Sequence, residues 1–193
     1  GVPPATLPPC LRLRMPPPQP EMTAGSSAEP AATSGLDGRV GVCMRTLKGE
    51  DRVGWLHAEI GGDAVTLVFV ADGHGGAQAA QLCSEHAMPY IVEECGGDAS
   101  GETLAAACYA AFAKLHRETV AVSGTAGSTL TVLCVNESRQ EMTVANAGDS
   151  AALLVEAASE RLLTAEHRLQ DSPAEQERII KLGARVARAQ NSA

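Results

Sequence analysis

Hydrophobic and polar positions split the chain into an opening part without period and a longer part rich in it. Val40, Val42 and Met44 alternate with Arg39, Gly41 and Cys43, which predicts a strand. A charged turn follows at Leu47-Lys48-Gly49-Glu50-Asp51-Arg52. Residues 53–60 alternate again, and Gly61-Gly62-Asp63 reads as a hairpin turn. That turn leads into Leu67-Val68-Phe69-Val70-Ala71, a continuous apolar run of the kind found in strands buried on both faces. Helical spacing begins at Ala77 and holds to about Cys95, with Pro89 expected to kink the helix or start a new turn. A second helical stripe joins Leu104, Ala107, Cys108, Ala111, Phe112 and Leu115. Ser100 is its expected N-cap, and Glu102 lies in its first turn. Residues 128–135 and 142–147 predict a hairpin around a polar turn, and further strands fall at 151–155 and near 161–163. Ser172-Pro173-Ala174-Glu175 is a capping box with proline at the first helical position. It opens a short helix that Gly183 closes. Strands, two helices and then antiparallel strands make an α+β chain rather than a repeating parallel βαβ one.

Residues 1–38 follow none of these periods. Nine of the 11 prolines fall within the first 30 residues, and the first aromatic is Trp55. Such a segment buries too little apolar area to offset its ordering entropy, so 1–38 reads as a disordered tail rich in Pro, Ala and Ser. Residues 39–193 form one domain, and the 193-residue length suits a single sizeable core. With aromatics at only 3%, that core must be built from Ala, Val, Leu and Ile. A net charge of −8 argues against a nucleic-acid-binding surface or an anionic membrane as partner. No apolar run approaches the ~18 residues of a membrane span. The six cysteines form no C-x-x-C pair, and several fall on apolar faces. That pattern fits reduced thiols in an intracellular protein, cytoplasmic or nuclear.

The candidate chemistry sits at strand ends. Asp72 stands where the apolar run leaves the core, followed by Gly73-His74-Gly75-Gly76. The glycines let the backbone turn tightly and approach a ligand, and His74 is able to move a proton near neutral pH. Glu50-Asp51 and Asp149 are two further acidic corners. Taken singly, each is either a solvated turn acid or one wall of an oxygen-rich pocket for Mg²⁺ or Mn²⁺, ions that prefer carboxylates, carbonyls and retained waters. His57, His86, His116 and His167 show no ligand spacing. No stretch matches a phosphate-binding glycine loop or a nucleophile elbow.

Together these motifs resemble the N-terminal half of the metal-dependent Ser/Thr protein phosphatases of the 2C type. Glu50-Asp51 resembles the first acidic motif, and residues 68–76 resemble the hallmark motif. Gly127-Ser128-Thr129 and Asn146-Ala147-Gly148-Asp149-Ser150 follow in the family's order. Leu163-Thr164-Ala165-Glu166-His167, with Glu175, Glu177, Arg178 and Ile179, completes the likeness over about residues 39–187. The resemblance implies a four-layer α-β-β-α sandwich with antiparallel sheets, only part of which this chain supplies. It implies two metal ions, and a third held more weakly. By position, Asp72 would bridge two metals with the Gly73 carbonyl as a further ligand. Glu50 and Asp51 would bind directly or through water, and Asp149 would help hold the additional ion. His74 would protonate the leaving seryl or threonyl oxygen. The partner would be a phosphorylated protein, and the chain a monomer.

The sequence departs from the family's pattern at three places. Thr46 stands where the family usually has a phosphate-gripping arginine, with Arg45 and Lys48 beside it as substitutes. Glu166 replaces an aspartate, and Arg168-Leu169 replaces Lys-Pro. The family's two distal metal-binding aspartates have no counterpart before Ala193, so the domain reads as truncated at its C-terminal side. The reading is therefore a Mg²⁺/Mn²⁺-dependent protein-serine/threonine phosphatase, or a non-catalytic phosphatase-like module. A phospho-acceptor receiver with Asp72 at a strand end would need parallel βα alternation, which the hairpin at 128–155 opposes.

Overall fold

The computed structural model describes residues 11–14, 40–45 and 48–187. Nine strands and three helices are assigned in that part. Strand β1 is Leu11–Arg14, β2 is Arg52–Ile60 and β3 is Asp63–Ala71. The two-residue β4, Gly73–His74, precedes helices α1, Gln78–Glu94, and α2, Gly101–Val122. Then come β5, Gly127–Ser128, β6, Leu130–Asn136, and β7, Glu141–Ala147. Strands β8, Leu153–Glu156, and β9, Ser159–Leu162, and helix α3, Pro173–Lys181, complete the order.

Five strands form one antiparallel sheet in the order β1-β7-β6-β3-β2. The β2–β3 hairpin turns on Gly61 and Gly62, both at positive φ, as a two-residue turn of the type that matches strand twist requires. On one face, Leu67 pairs with Cys134 and Phe69 with Val132. Helices α1 and α2 cover that face with Ala80, Ala87, Ile91, Leu104, Ala107 and Ala111. The run of alanines brings the helix backbones close to the sheet, which is how a core with so few aromatics closes. Its fully buried ring, Phe69, lies over Gly54, its partner across the ladder. A Cβ at Gly54 would stand 2.6 Å from Phe69 Cε1, so that position admits no side chain without moving the ring.

The caps behave as the sequence predicts. Ser100 Oγ accepts from the Thr103 amide at the start of α2, and Ser172 Oγ accepts from the Glu175 amide at the start of α3. Helix α1 runs through Pro89 without interruption.

Two expectations need correction. Residues 40–45 form no strand. Their alternation is only partly realised: Val40 and Val42 are half-buried, but Met44 is exposed and the space beside Gly41 is open. Conversely, Leu11–Arg14 lies within the expected disordered tail, yet it pairs with β7 in the register Leu11 to Val144 and Arg14 to Glu141. Leu-Arg-Leu-Arg is a proline-free island of strand period, and β7 offered it an open edge. The remainder of 1–38 lies outside the described residues. Of the expected four layers, the described residues supply one helical layer, the five-stranded sheet and two short ladders, β4–β5 and β8–β9. The sheet's other face carries Trp55, Val68, Leu133 and Val135, all half-buried, and Val70, exposed.

Candidate active site

The site is built where β3 ends. Asp72 follows the last residue of β3 and precedes β4, which pairs with β5 through Gly73 to Ser128 and His74 to Gly127. Thr129 clamps the Asp72 peptide unit from both sides. The Asp72 amide donates to Thr129 Oγ1 at 3.0 Å, and the Thr129 amide donates to the Asp72 carbonyl at 2.9 Å. Ser128 Oγ donates to the same carbonyl at 3.2 Å. Thr129 Oγ1 also lies 2.7 Å from Ser150 Oγ, which ties the corner to the turn that carries Asp149. The clamp fixes the backbone and leaves the Asp72 carboxylate exposed.

The Glu50-Asp51 segment docks on the same corner. Glu50 Oε1 accepts from the Gly76 amide at 2.8 Å, just ahead of α1. Gly73 packs against the Glu50 carbonyl so tightly that a Cβ would overlap it. Glycine is therefore required there for close approach. Arg52 holds the segment from behind. Its Nη1 donates to the carbonyls of Gly49 and Asp51 at 2.9 and 2.8 Å, and its Nε donates to Gln81 Oε1 on α1 at 2.8 Å.

The structure thus brings Asp51, Asp72, Gly73 and His74 together, with Glu50 anchored beside them. The Asp72 carboxyl sits above its ordinary carboxylate range. Partial burial is the largest cause, followed by the Asp51 charge, the Asp149 charge and a hydrogen bond with Asp51; His74 acts in the opposite sense. Asp149 acts at longer range than Asp51, and its Oδ2 lies 3.7 Å from Arg168 Nη1. Among the described residues, no three His, Cys, Asp or Glu side chains stand as a ready-made metal centre. The donor chemistry nevertheless suits a hard divalent cation. Carboxylates crowd one another here, and a cation between them would relieve the repulsion that adds to desolvation in raising Asp72. Arg45 and Lys48 are exposed, and Thr46 and Leu47 between them lie outside the described residues.

His74 is held by a glycine. A Cβ at Gly127 would lie 2.5 Å from both Cε1 and Nε2 of its imidazole, so the bare Gly127 backbone is the surface the ring rests on. The turn at 146–150 is braced in turn by Asn146. Its Oδ1 accepts from Thr131 Oγ1 at 2.7 Å, and its Nδ2 donates to the Gly148 and Ala165 carbonyls. Sequence reasoning placed Thr129 and Ser150 in motifs and Arg52 in a charged turn, but gave none of them, nor Gln81, a bracing role. The signal available for Arg52 was its place directly after two acids. For the Thr129–Ser150 contact there was none, because it joins residues 21 apart in the chain.

The chain is thus a mixed fold of helices on an antiparallel sheet, with paired carboxylates and a histidine at the strand ends. The sequence model of the protein phosphatase 2C family matches residues 47–192, and the chain belongs to that family. It is 32% identical over 130 residues to "Probable protein phosphatase 2C 5" of Arabidopsis thaliana, covering 65% of this chain and 30% of that one. It is also 32% identical over 161 residues to "Probable protein phosphatase 2C 69" of Oryza sativa subsp. japonica, covering 77% of this chain and 37% of that one. The chain thus spans about a third of the length of these curated relatives. Among solved structures, "Structure of a C.elegans sex determining protein" shares the fold with a TM-score of 0.60 at 23% identity, covering 75% of this chain and 37% of that one.

Proposed function

We propose that this chain carries the metal-binding corner and the general acid of a protein-serine/threonine phosphatase that depends on Mg²⁺ or Mn²⁺. The observation that carries the reading is the junction of Asp51, Asp72 and His74 at the end of β3. Asp72, Asp51 and the Gly73 carbonyl would hold the cations. Glu50 would contribute through its second oxygen, since Oε1 is committed to the Gly76 amide. Bound there, the cations would neutralise phosphoryl charge and lower the pKa of the attacking water. The substrate's phosphorus–oxygen bond breaks as water attacks in line, and His74 gives its proton to the departing seryl or threonyl oxygen. An alkoxide is a poor leaving group, so a proton supplied at this point lowers the barrier. Arg45 and Lys48 are the candidate phosphate grips. No protein nucleophile is required. The substrate class is a phosphoprotein.

The test is phosphate release from phosphothreonine peptides and p-nitrophenyl phosphate with Mn²⁺, with Asp72→Asn as control. Mn²⁺-dependent release lost in Asp72→Asn supports the reading. Cation binding without turnover supports the second reading, a non-catalytic phosphatase-like module. One observation favours that alternative: no three ligating side chains among the described residues form a finished metal centre.

A further inference from the structure

A cavity of about 390 Å³ lies beside the acidic corner, with His74, Gly127 and Ser128 as a shared wall. Its floor is Ala79, Cys83, Leu115 and Leu130, all buried, together with the half-buried Phe112. Thr119, Val120, Ser123 and Thr125 also line it, where α2 ends and the next loop begins. No Asp, Glu, Lys or Arg lines it among the described residues. The Cys83 thiol is pushed up to about 11 by burial and stays neutral at physiological pH.

We infer that this cavity is a specificity subsite that takes an apolar side chain of a phosphopeptide, from a residue next to the phosphorylated one. The inference rests on the function proposed above, because it needs the leaving oxygen at His74. His74 separates the acidic corner from the cavity and borders both. A peptide whose phosphoryl group lies over Asp72 places its neighbouring residue one step, ~3.3–3.6 Å, along the chain. Because His74 both follows Asp72 in the chain and lines the cavity, the cavity is the apolar surface next to the proposed phosphoryl position. The floor is apolar and the ionisable side chains on the walls are His74 and His116, so a basic side chain finds no counter-charge there and burying one is costly. The volume accepts a side chain as large as Leu, Met or Phe. Burial of a Leu side chain in such a site is worth about tenfold or more in affinity.

The experiment compares two phosphothreonine peptides of equal charge, one with Leu and one with Asn on both sides of the phosphothreonine. With Mn²⁺ present, kcat/KM is measured by phosphate release and Kd by fluorescence anisotropy of labelled peptides. The Leu peptide is expected to be favoured about tenfold in both. Val120→Glu alters an exposed residue, so the fold tolerates it, and it places a charge in the lining. The Leu-to-Asn ratio should fall toward one in this variant and return in Val120→Leu. Equal handling of the two peptides by an active protein overturns the subsite and leaves the proposed function standing. A tenfold binding preference without hydrolysis supports the subsite and counts against the catalytic reading. Failure to bind either peptide overturns both.

Discussion

Asp72 and Thr129 hold each other through two hydrogen bonds, the Asp72 amide to the Thr129 hydroxyl and the Thr129 amide to the Asp72 carbonyl. The residue that would carry the metal therefore takes its position from a strand start 57 residues later in the chain. Thr129→Val keeps the shape and removes the hydroxyl. The expected loss is about 1 kcal/mol of stability, a Tm lower by a few degrees, together with weaker Mn²⁺ binding. Thr129→Ser should restore both. Differential scanning fluorimetry and calorimetric Mn²⁺ titration of the three forms check this, and unchanged Mn²⁺ affinity in Thr129→Val would show that the clamp does not position the carboxylate.

The contact of His74 with Gly127 makes a second prediction. A methyl group at 127 would occupy the place of the imidazole, and the ring, at the end of a rotatable side chain, swings away. Gly127→Ala should fold with little change in Tm. Its turnover of phosphothreonine peptides should drop about 10²-fold, the scale of losing a general acid. For p-nitrophenyl phosphate the drop should be much smaller, since nitrophenolate leaves without a proton. The same split is expected for His74→Ala. An equal drop on both substrates would place the ring in binding rather than in proton transfer.

Much of the scaffold was legible in the sequence because it is written in local pattern. The period-two run of β2, the Gly61-Gly62 turn, the helical stripe of α2 and the Ser100 and Ser172 caps all depend on residues close in the chain. The acidic corner was legible only as separate turns, and the family resemblance was what joined them. The errors lie where a surface at a distance decides. Residues 40–45 had strand period and no partner, whereas Leu11–Arg14 had four residues and an open edge at β7. The braces, Arg52 on Gln81 and Thr129 on Ser150, are contacts between segments and leave no trace in a local pattern.

Glu175 offers a test of how α3 is fixed. Its carboxylate is buried and takes two hydrogen bonds from Arg178, at 2.7 Å from Nε and 2.6 Å from Nη2. Those bonds hold its pKa below the ordinary glutamate value, with the Arg178 and His167 charges acting the same way. A lowered folded pKa means stability that is present above about 4.5 and lost as pH falls through the folded value. Glu175→Gln should therefore cost about 1.5–3 kcal/mol at pH 7. The gap to the unmodified chain should close as the pH is lowered below the glutamate range. Thermal melts across pH 3–7 measure it, and a gap independent of pH would assign the loss to packing rather than charge.

The Asp72 carboxyl carries the opposite sign, and this separates its role in folding from its role in binding. Its folded pKa is raised above the ordinary aspartate value, so ionisation is less favourable in the folded chain than in the unfolded one. The folded state is favoured by protonated Asp72, an advantage fully present below the unfolded pKa and lost as pH rises through the folded value. At pH 7 without divalent ions, ionised Asp72 is a cost to the fold, imposed by partial burial and by the neighbouring charges of Asp51 and Asp149. Asp72→Asn removes that charge and keeps the size of the side chain. It should raise the Tm of the metal-free chain at pH 7, and the gain should fade on acidification as the unmodified carboxyl takes up its proton. Adding Mn²⁺ reverses the order. The unmodified chain should gain stability through a ligand that binds only the folded state, by about 2.7 kcal/mol when the free ion is at 100 times its Kd. Asp72→Asn should gain little. Thermal melts of both forms, with EDTA and with Mn²⁺ at pH 5 and pH 7, give the crossing directly. If the two curves shift in parallel with Mn²⁺, the cation binds elsewhere, and Asp72 is not its ligand.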